Sequence, residues 1–224
     1  AAIQVLTGIP AAWGVFQQPV MDEYGLSEQG AGYAFGILIA AFGVGCVLGG
    51  FLQDSRGPRC AALWGTALLC GGFFAAAMLP GGSAVSFFLA FSIPAGLGTA
   101  FLYPSIQSCA QKWYAGRKGL ATGVIGGAVG LSGAFLTVFV RTAVSGFGIV
   151  QGIRGAFWAL GAITLPVCLA GSLLLQDPPE SRQNQQGSGK NEIDLSPWQM
   201  LKTKQYWLCA GAVCFSTPAV HSQN

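Results

Sequence analysis

The sequence predicts an all-α integral membrane protein, because its composition, its hydropathy and the placement of its charges all favour a lipid solvent. Only 8% of the 224 residues are charged, against about 25% in ordinary soluble domains, and the mean hydropathy is +0.55. A soluble globule of this size with so few charges would expose one large apolar patch. The net charge of +3 is too small and scattered for nucleic-acid binding, and 12% aromatic residues argue against a disordered chain.

Long stretches without any charged residue define the membrane spans. A helix of about 22 residues rises about 33 Å, enough to cross a hydrocarbon core of about 30 Å. The longest such stretch exceeds one crossing, and the turn residues Pro80–Ser83 divide it. The sequence predicts helices at residues 1–20, 31–52, 61–79, 84–106, 119–140 and 155–175. A seventh begins near Tyr206, and we expect the chain to start inside the first helix and stop inside the seventh.

The basic residues predict the orientation of these helices. Segments 53–60, 107–118 and 176–205 lie on one side and hold nine of the eleven Lys and Arg residues, so the positive-inside rule makes that side cytoplasmic. The N-terminus and segment 176–205 are then cytoplasmic, in a multi-pass protein of the plasma membrane. A signal peptide is not expected, because no basic segment precedes the first apolar run.

Glycines at helical spacing predict close packing between helices, since small residues let membrane helices approach one another. The predicted packing residues are Gly45 and Gly49 in the second helix and Gly123, Gly127 and Gly130 in the fifth. The seven cysteines show no paired spacing and fall mostly in apolar runs, which is typical of packing residues. The sequence predicts no metal site and no cofactor.

Residues 49–59, between the second and third helices, carry the most specific pattern. The short turn needs helix-breaking residues, which Gly57 and the following proline supply. We expect Asp54 just past the end of the second helix, where a carboxylate can hold a neighbouring helix N-terminus. Arg56 and Arg59 can hold C-terminal carbonyls or Asp54 itself. These residues allow two interpretations, a positive-inside loop without a switching role or a latch formed in one conformation of the bundle.

This stretch resembles the loop after the second helix of the major facilitator superfamily, which reads G-x-L-x-D-R-x-G-R-R. The matching residues are Gly50, Leu52, Asp54, Gly57 and Arg59, while Ser55 and Pro58 replace basic residues of the family pattern. The resemblance implies a cytoplasmic conformational latch built from Gly50, Asp54, Arg56, Gly57 and Arg59.

Three further stretches are similar to the oxalate/formate antiporter and monocarboxylate-transporter branch of that superfamily. They are the outer loop at residues 21–27, residues 111–123 with Lys112, Arg117 and Lys118 in the cytoplasmic loop 4–5, and residues 196–208 before the seventh helix. The resemblance implies the six-helix N-terminal half of a twelve-helix transporter plus part of helix seven. Residues 1–175 would form the bundle, 176–205 a cytoplasmic linker and 206–224 the start of the C-terminal bundle.

The complete spans contain no charged residue that could bind an anion or relay a proton, so the predicted substrate pathway is lined by uncharged side chains. Ser92 stands about where many proton-coupled members carry an arginine, which argues against the usual proton-symport arrangement. Each of the uncharged candidates could instead make an interhelical hydrogen bond, anchor the chain at the interface or pack against its neighbours. The pathway candidates are Trp13, Gln17, Gln18, Ser92, Thr99 and Tyr103.

The leading hypothesis is secondary active transport of a small organic anion of the oxalate/formate or monocarboxylate class by rocker-switch alternating access. The alternatives are a facilitator or symporter of another small solute, and a non-transporting membrane sensor. An enzyme is not expected, because no nucleophile–base or metal-ligand grouping is present. The expected partners are an anionic small molecule and the lipid bilayer, with no nucleic acid, and the full-length protein is expected to be monomeric.

Overall fold

The computed structural model describes residues 2–79, 84–146 and 152–175, and helices make up nearly all of these residues. Segments 176–205 and 206–224, predicted as the linker and the start of a second bundle, lie outside the described residues. Within the described ranges the chain begins with a short helix, α1 (Ala2–Thr7). The longer helices are α2 (Ile9–Tyr24), α3 (Glu28–Arg56), α4 (Pro58–Met78), α5 (Ala84–Trp113), α6 (Lys118–Gly146) and α7 (Gly152–Leu174).

Five of these helices, α3 to α7, are long and apolar enough to cross a membrane, and they coincide with the second to sixth predicted spans. Most run beyond the predicted apolar limits, because a helix continues through the interfacial region until a breaking residue stops it. The 29 residues of α3 correspond to about 44 Å, more than the hydrocarbon thickness of about 30 Å. α3 is therefore longer than a straight crossing of the hydrocarbon requires.

The first predicted span, residues 1–20, is broken at Gly8 into α1 and α2. Gly8 has φ −74° and ψ 36°, outside the helical region, and Pro10 follows at the start of α2. Pro10 lacks the N–H that would bond to the carbonyl of Leu6, so the helical hydrogen bonds are interrupted beside Gly8. The prediction of one continuous helix was therefore wrong at this position, and the second segment extends to Tyr24.

Glycines bring α5 into backbone contact with both α3 and α4. A Cβ built on Gly98 would lie 2.6 Å from the nitrogen of Leu69 and 2.8 Å from the carbonyl oxygen of Gly65, both in α4. A Cβ on Gly45 or Gly49 of α3 would come within 2.7–2.8 Å of Ala100 or Phe101 in α5. Real Cβ atoms essentially never show such distances, so a side chain at any of these positions would force its neighbour to shift, and at Gly98 that neighbour is the α4 backbone itself.

The glycines of α6 are placed differently from the prediction. A Cβ added at Gly123, Gly127 or Gly130 meets no atom of the described residues within 4 Å. The predicted small-residue face of α6 therefore makes no close helix contact within the described bundle. A glycine pattern in the sequence marks a helix surface that could pack closely, but the rotation of the helix decides whether that surface meets a neighbour.

The core of the bundle is a cluster of stacked and tilted aromatic rings contributed by α2, α4, α5 and α7. Phe91 lies 5.0 Å from Phe157 and 5.2 Å from Phe87, measured between ring centroids, and Phe16 stacks on Phe157 at 5.9 Å. All four rings are fully buried. Aromatic pairs at such distances stabilise a core beyond the area they bury, so this cluster fixes the helices against one another.

Candidate functional site

The turn between α3 and α4 consists of a single residue, Gly57. Its φ of 86° and ψ of 165° place it in a region that residues with a Cβ rarely adopt. Its N–H donates to the carbonyl of Gln53 at 2.8 Å, and Pro58 opens α4 at a position where no N–H is needed. Asp54 therefore lies in the last turn of α3 and not beyond the helix end, which corrects the sequence-based expectation.

Arg59 connects this turn to the end of α7. Its Nε donates to the carbonyl oxygen of Leu175 at 2.5 Å, just past the C-terminus of α7. A guanidinium at that position satisfies a carbonyl without a helical partner and complements the negative end of the helix dipole. Asp54 and Arg56 are exposed and make no ion pair with another described residue. Of the three predicted latch charges, Arg59 thus has a partner in the bundle, whereas Asp54 and Arg56 have no ionic partner among the described residues.

A second polar contact at this end of the bundle was not anticipated from the sequence. The Nε2 of Gln53 donates to the hydroxyl of Ser108 at 2.9 Å and ties α3 to α5. These residues are 55 positions apart, so no local pattern links them. The only signal in the sequence is a pair of polar residues at the ends of two apolar runs.

The loop between α5 and α6 contains a short 3₁₀ turn, Ala115–Arg117. Gln111 donates from Nε2 to the hydroxyl of Thr122 at 3.0 Å and spans the turn. Arg117 and Lys118 are exposed, whereas Lys112, in the last turn of α5, is half-buried. The three basic residues predicted for this loop therefore lie together at the helix ends.

Trp13 of the predicted substrate pathway is packed inside the bundle. It is 5% exposed, and its ring lies 6.0 Å from Phe35 and 6.4 Å from Phe91. The burial of Trp13 favours a packing role over an open cavity wall.

Ser92 ends a π-helical segment, Phe88–Ser92, inside α5. Such π-bulges are rare and frequently occur at functional sites. Ser92 is fully buried, and its hydroxyl has no hydrogen-bond partner among the described residues. Thr99, also buried, donates its hydroxyl to the carbonyl of Ala95 at 2.8 Å. Of the two, only Ser92 retains an unused polar group.

The remaining pathway candidates lie nearer the bundle surface. Gln17 is half-buried, and the exposed Gln18 donates to a carboxylate oxygen of Asp22 at 3.3 Å. Tyr103 is half-buried and meets the ring of Phe42 edge-on at 6.4 Å. These side chains therefore differ in depth of burial from Ser92 and Thr99 and do not share one environment with them.

Sequence reasoning also missed polar residues beside the break in the first helix. Gln4 is 1% exposed and accepts a hydrogen bond from the hydroxyl of Thr7 at 2.9 Å, while its amide nitrogen has no partner among the described residues. The hydroxyl of Ser132 on α6 donates to the carbonyl of Val129 in its own helix at 2.5 Å, and it lies 3.4 Å from the carbonyl oxygen of Gly8. A polar side chain of α6 therefore packs against the break.

At the opposite end of the bundle, an ion pair and a buried hydroxyl join three helices. Glu23 and Arg154 lie 2.8 Å apart and connect α2 to α7. The hydroxyl of Tyr24 donates to the carbonyl of Ala76 in α4 at 2.7 Å. Tyr24 lies beyond the first predicted span, and burial raises its pKa to about 12. It therefore remains a hydrogen-bond donor throughout the neutral range.

Among the described residues, no group of three His, Cys, Asp or Glu side chains could hold a metal ion. A family model described as the Major Facilitator Superfamily matches residues 2–222. The chain belongs to the major facilitator superfamily. It is therefore a multi-pass membrane protein, and its family consists of transporters that act on small molecules.

Several transporters resemble the chain over most of its length. An oxalate:formate antiporter of Oxalobacter formigenes is 24% identical over 208 residues, which cover 91% of this chain and 47% of the antiporter. Monocarboxylate transporter 2 of Homo sapiens is 26% identical over 202 residues, covering 88% of this chain and 41% of that protein. The chain thus spans less than half the length of these relatives.

A solved structure of a transporter shares the fold. The crystal structure of a mutant of the peptide transporter POT in complex with sulfate superposes with a TM-score of 0.59 at 22% sequence identity. The match covers 99% of this chain and 45% of the peptide transporter. At this identity the likeness establishes the fold and carries no information about the solute.

Proposed function

We propose that the full-length protein is a secondary active transporter of a small organic anion, of the oxalate/formate or monocarboxylate class, working by rocker-switch alternating access. The observation that carries this proposal is the similarity, over about nine tenths of this chain, to an oxalate:formate antiporter and a monocarboxylate transporter. Two different relatives of the same substrate chemistry support a small carboxylate over a peptide or a sugar.

The charge distribution supports a division of the substrate site between two halves. Within the described spans the charged residues stand at the helix ends, such as Glu28, Arg59 and Lys112, and none stands near mid-depth. An anion crossing a membrane needs a counter-charge, since an unpaired charge in the bilayer is costly. We therefore assign residues 1–175 to an N-terminal bundle, 176–205 to a linker and 206–224 to the start of a second bundle that supplies the cation.

The turn at Gly57 supports a latch role for the charges around it. Arg59 holds the end of α7, so the turn is fixed to the rest of this bundle. Asp54 is exposed in the last turn of α3 and has no ionic partner in the described part of the chain. In our proposal Asp54 binds a helix N-terminus or a cation of the second bundle in one conformation and releases it in the other.

The test is counterflow in proteoliposomes containing the full-length protein and loaded with oxalate, formate or lactate. We expect saturable exchange of at least one of these carboxylates. Asp54→Asn should lower the exchange rate and change the labelling of single cysteines placed on the two sides. Glu28→Gln is the matched control, because it removes an exposed carboxylate from the other end of the same helix.

Three results would contradict parts of the proposal. Saturable uptake of a neutral solute without carboxylate exchange would make the protein a facilitator of another solute. No uptake of any solute by a correctly folded protein would favour a non-transporting sensor. Carboxylate exchange that Asp54→Asn leaves unchanged, with unchanged labelling, would remove the latch role and keep the transport function.

A further inference from the structure

The turn between α5 and α6 carries exposed side chains that the proposed transport function does not use. Trp113 is 57% exposed and Tyr114 is 59% exposed, and Arg117 and Lys118 are exposed beside them. We call these four residues the turn patch. They combine two aromatic rings with two cations at one end of the bundle.

The turn patch lies where two membrane spans leave the hydrocarbon. Trp113 ends α5 and Lys118 begins α6, and both helices are long and apolar enough to cross a membrane. The exposed apolar side chain of Leu120 follows in the first turn of α6. Trp and Tyr side chains are enriched at this depth because their rings are apolar and their polar groups reach the headgroups.

The two cations of the turn patch stand at an unfavourable place for the helix itself. Arg117 and Lys118 lie at the N-terminus of α6, the positive end of its dipole, and no acidic residue occupies the first turn. Neither side chain makes a hydrogen bond or ion pair with another described residue. An anion supplied from outside the chain would offset both the helix dipole and the repulsion between the cations.

Hydrogen bonds order the backbone of the turn that carries these side chains. The N–H of Tyr114 donates to the carbonyl of Ala110 at 3.0 Å, and the N–H of Arg117 donates to the carbonyl of Tyr114 at 2.8 Å. The hydrogen bond between Gln111 of α5 and Thr122 of α6 spans the same turn. A site ordered before binding loses less conformational entropy when a ligand arrives.

We propose that the turn patch binds the headgroup of an anionic phospholipid. Arg117 and Lys118 contact the phosphate, and Trp113 and Tyr114 lie at the level of the glycerol and upper acyl region. A basic side chain near an anionic membrane surface raises affinity about fivefold, so the pair predicts a preference of roughly tenfold or more over a zwitterionic lipid. This inference does not depend on which solute the protein carries.

The experiment measures tryptophan quenching of the full-length protein in phosphatidylcholine vesicles that contain increasing amounts of brominated lipid. One series contains brominated phosphatidylglycerol and the other brominated phosphatidylcholine, and the difference between wild type and Trp113→Phe isolates the signal of Trp113. We expect phosphatidylglycerol to quench Trp113 at a mole fraction roughly tenfold lower than phosphatidylcholine does. Arg117→Gln/Lys118→Gln should bring the two lipids to equal efficiency, and Arg117→Glu/Lys118→Glu should reverse the order.

The matched control is Arg182→Gln/Lys190→Gln, which removes the same charge from segment 176–205. The lipid preference should persist in this variant. Arg117→Gln/Lys118→Gln should unfold at the wild-type temperature, because both exchanged side chains are exposed. A preference that survives Arg117→Gln/Lys118→Gln would overturn the proposal, as would an equal loss in the control, which would show an effect of net charge. Abolition of the preference by millimolar inorganic phosphate would show a site for a free anion instead of a lipid.

Discussion

The contact between Gly65 and Gly98 predicts a large loss of stability from the smallest possible substitution, Gly98→Ala. The added carbon would lie 2.6 Å from the Leu69 nitrogen, while ordinary van der Waals contact begins at 3.4 Å. Both nearby atoms belong to the α4 backbone, so no side chain can rotate away and the two helices must separate by about 0.8 Å.

The expected magnitude combines two opposing effects. Overpacking of a well-packed interface costs about 1–3 kcal/mol, and backbone-to-backbone contact favours the upper end. Replacing a helical glycine by alanine raises the free energy of unfolding by about 0.5–1 kcal/mol. The net loss is about 2 kcal/mol, which corresponds to a melting temperature about 4–8 °C lower for a chain of this size.

The assay is thermal unfolding of the purified protein in detergent micelles, followed by tryptophan emission. Gly71→Ala is the control, because it lies on α4 and its added carbon meets no described atom within 4 Å. Gly71→Ala should unfold at or slightly above the wild-type temperature. Gly65→Ala/Gly98→Ala should cost less than the sum of the single variants, since one separation of the helices relieves both clashes. Unfolding of Gly98→Ala at the temperature of Gly71→Ala would refute the packing account.

Three further substitutions test other contacts by the same unfolding measurement. Gly57→Ala should lower stability by about 1–3 kcal/mol through its backbone strain, and a wild-type melting temperature would show that the turn adopts another geometry. Arg59→Gln should lower stability by about 1 kcal/mol, because it leaves the Leu175 carbonyl without its cationic donor, and Arg59→Lys should lie between this variant and the wild type. An equal loss in both variants would contradict a stabilising hydrogen bond from Arg59 to Leu175. Tyr24→Phe should cost about 1 kcal/mol at neutral pH. Because the pKa of Tyr24 is raised to about 12, wild-type stability should also fall between pH 10 and 12, where unfolding releases its proton, and Tyr24→Phe should show a shallower fall over that range.

The sequence predicted helices α3 to α7 well because charged residues cannot enter the hydrocarbon, and the stretches without them have the length of a span. It did not predict the break at Gly8, since apolar residues continue on both sides of it. It also could not tell Gly98, which touches a neighbouring backbone, from Gly127, which does not. Both lipid and helix neighbours are apolar, so hydropathy does not report which face of a membrane helix is buried.

The candidate site was predictable only where one short stretch carried the whole pattern. The Gly57–Pro58 break and the basic character of the turn followed from residues 49–59 alone. The partners of these residues did not, because Arg59 contacts Leu175 and Gln53 contacts Ser108 across 116 and 55 positions. Residues so far apart in the sequence come into contact only when the helices pack, and glycines and aromatic rings elsewhere in the bundle determine that packing.

The one-residue turn at Gly57 also has a consequence for biosynthesis. With no slack between them, α3 and α4 cannot take up separate positions in the bilayer. We expect the two helices to enter the membrane together as a hairpin. A lengthened turn would uncouple the two insertion events before it affected any contact of the folded bundle.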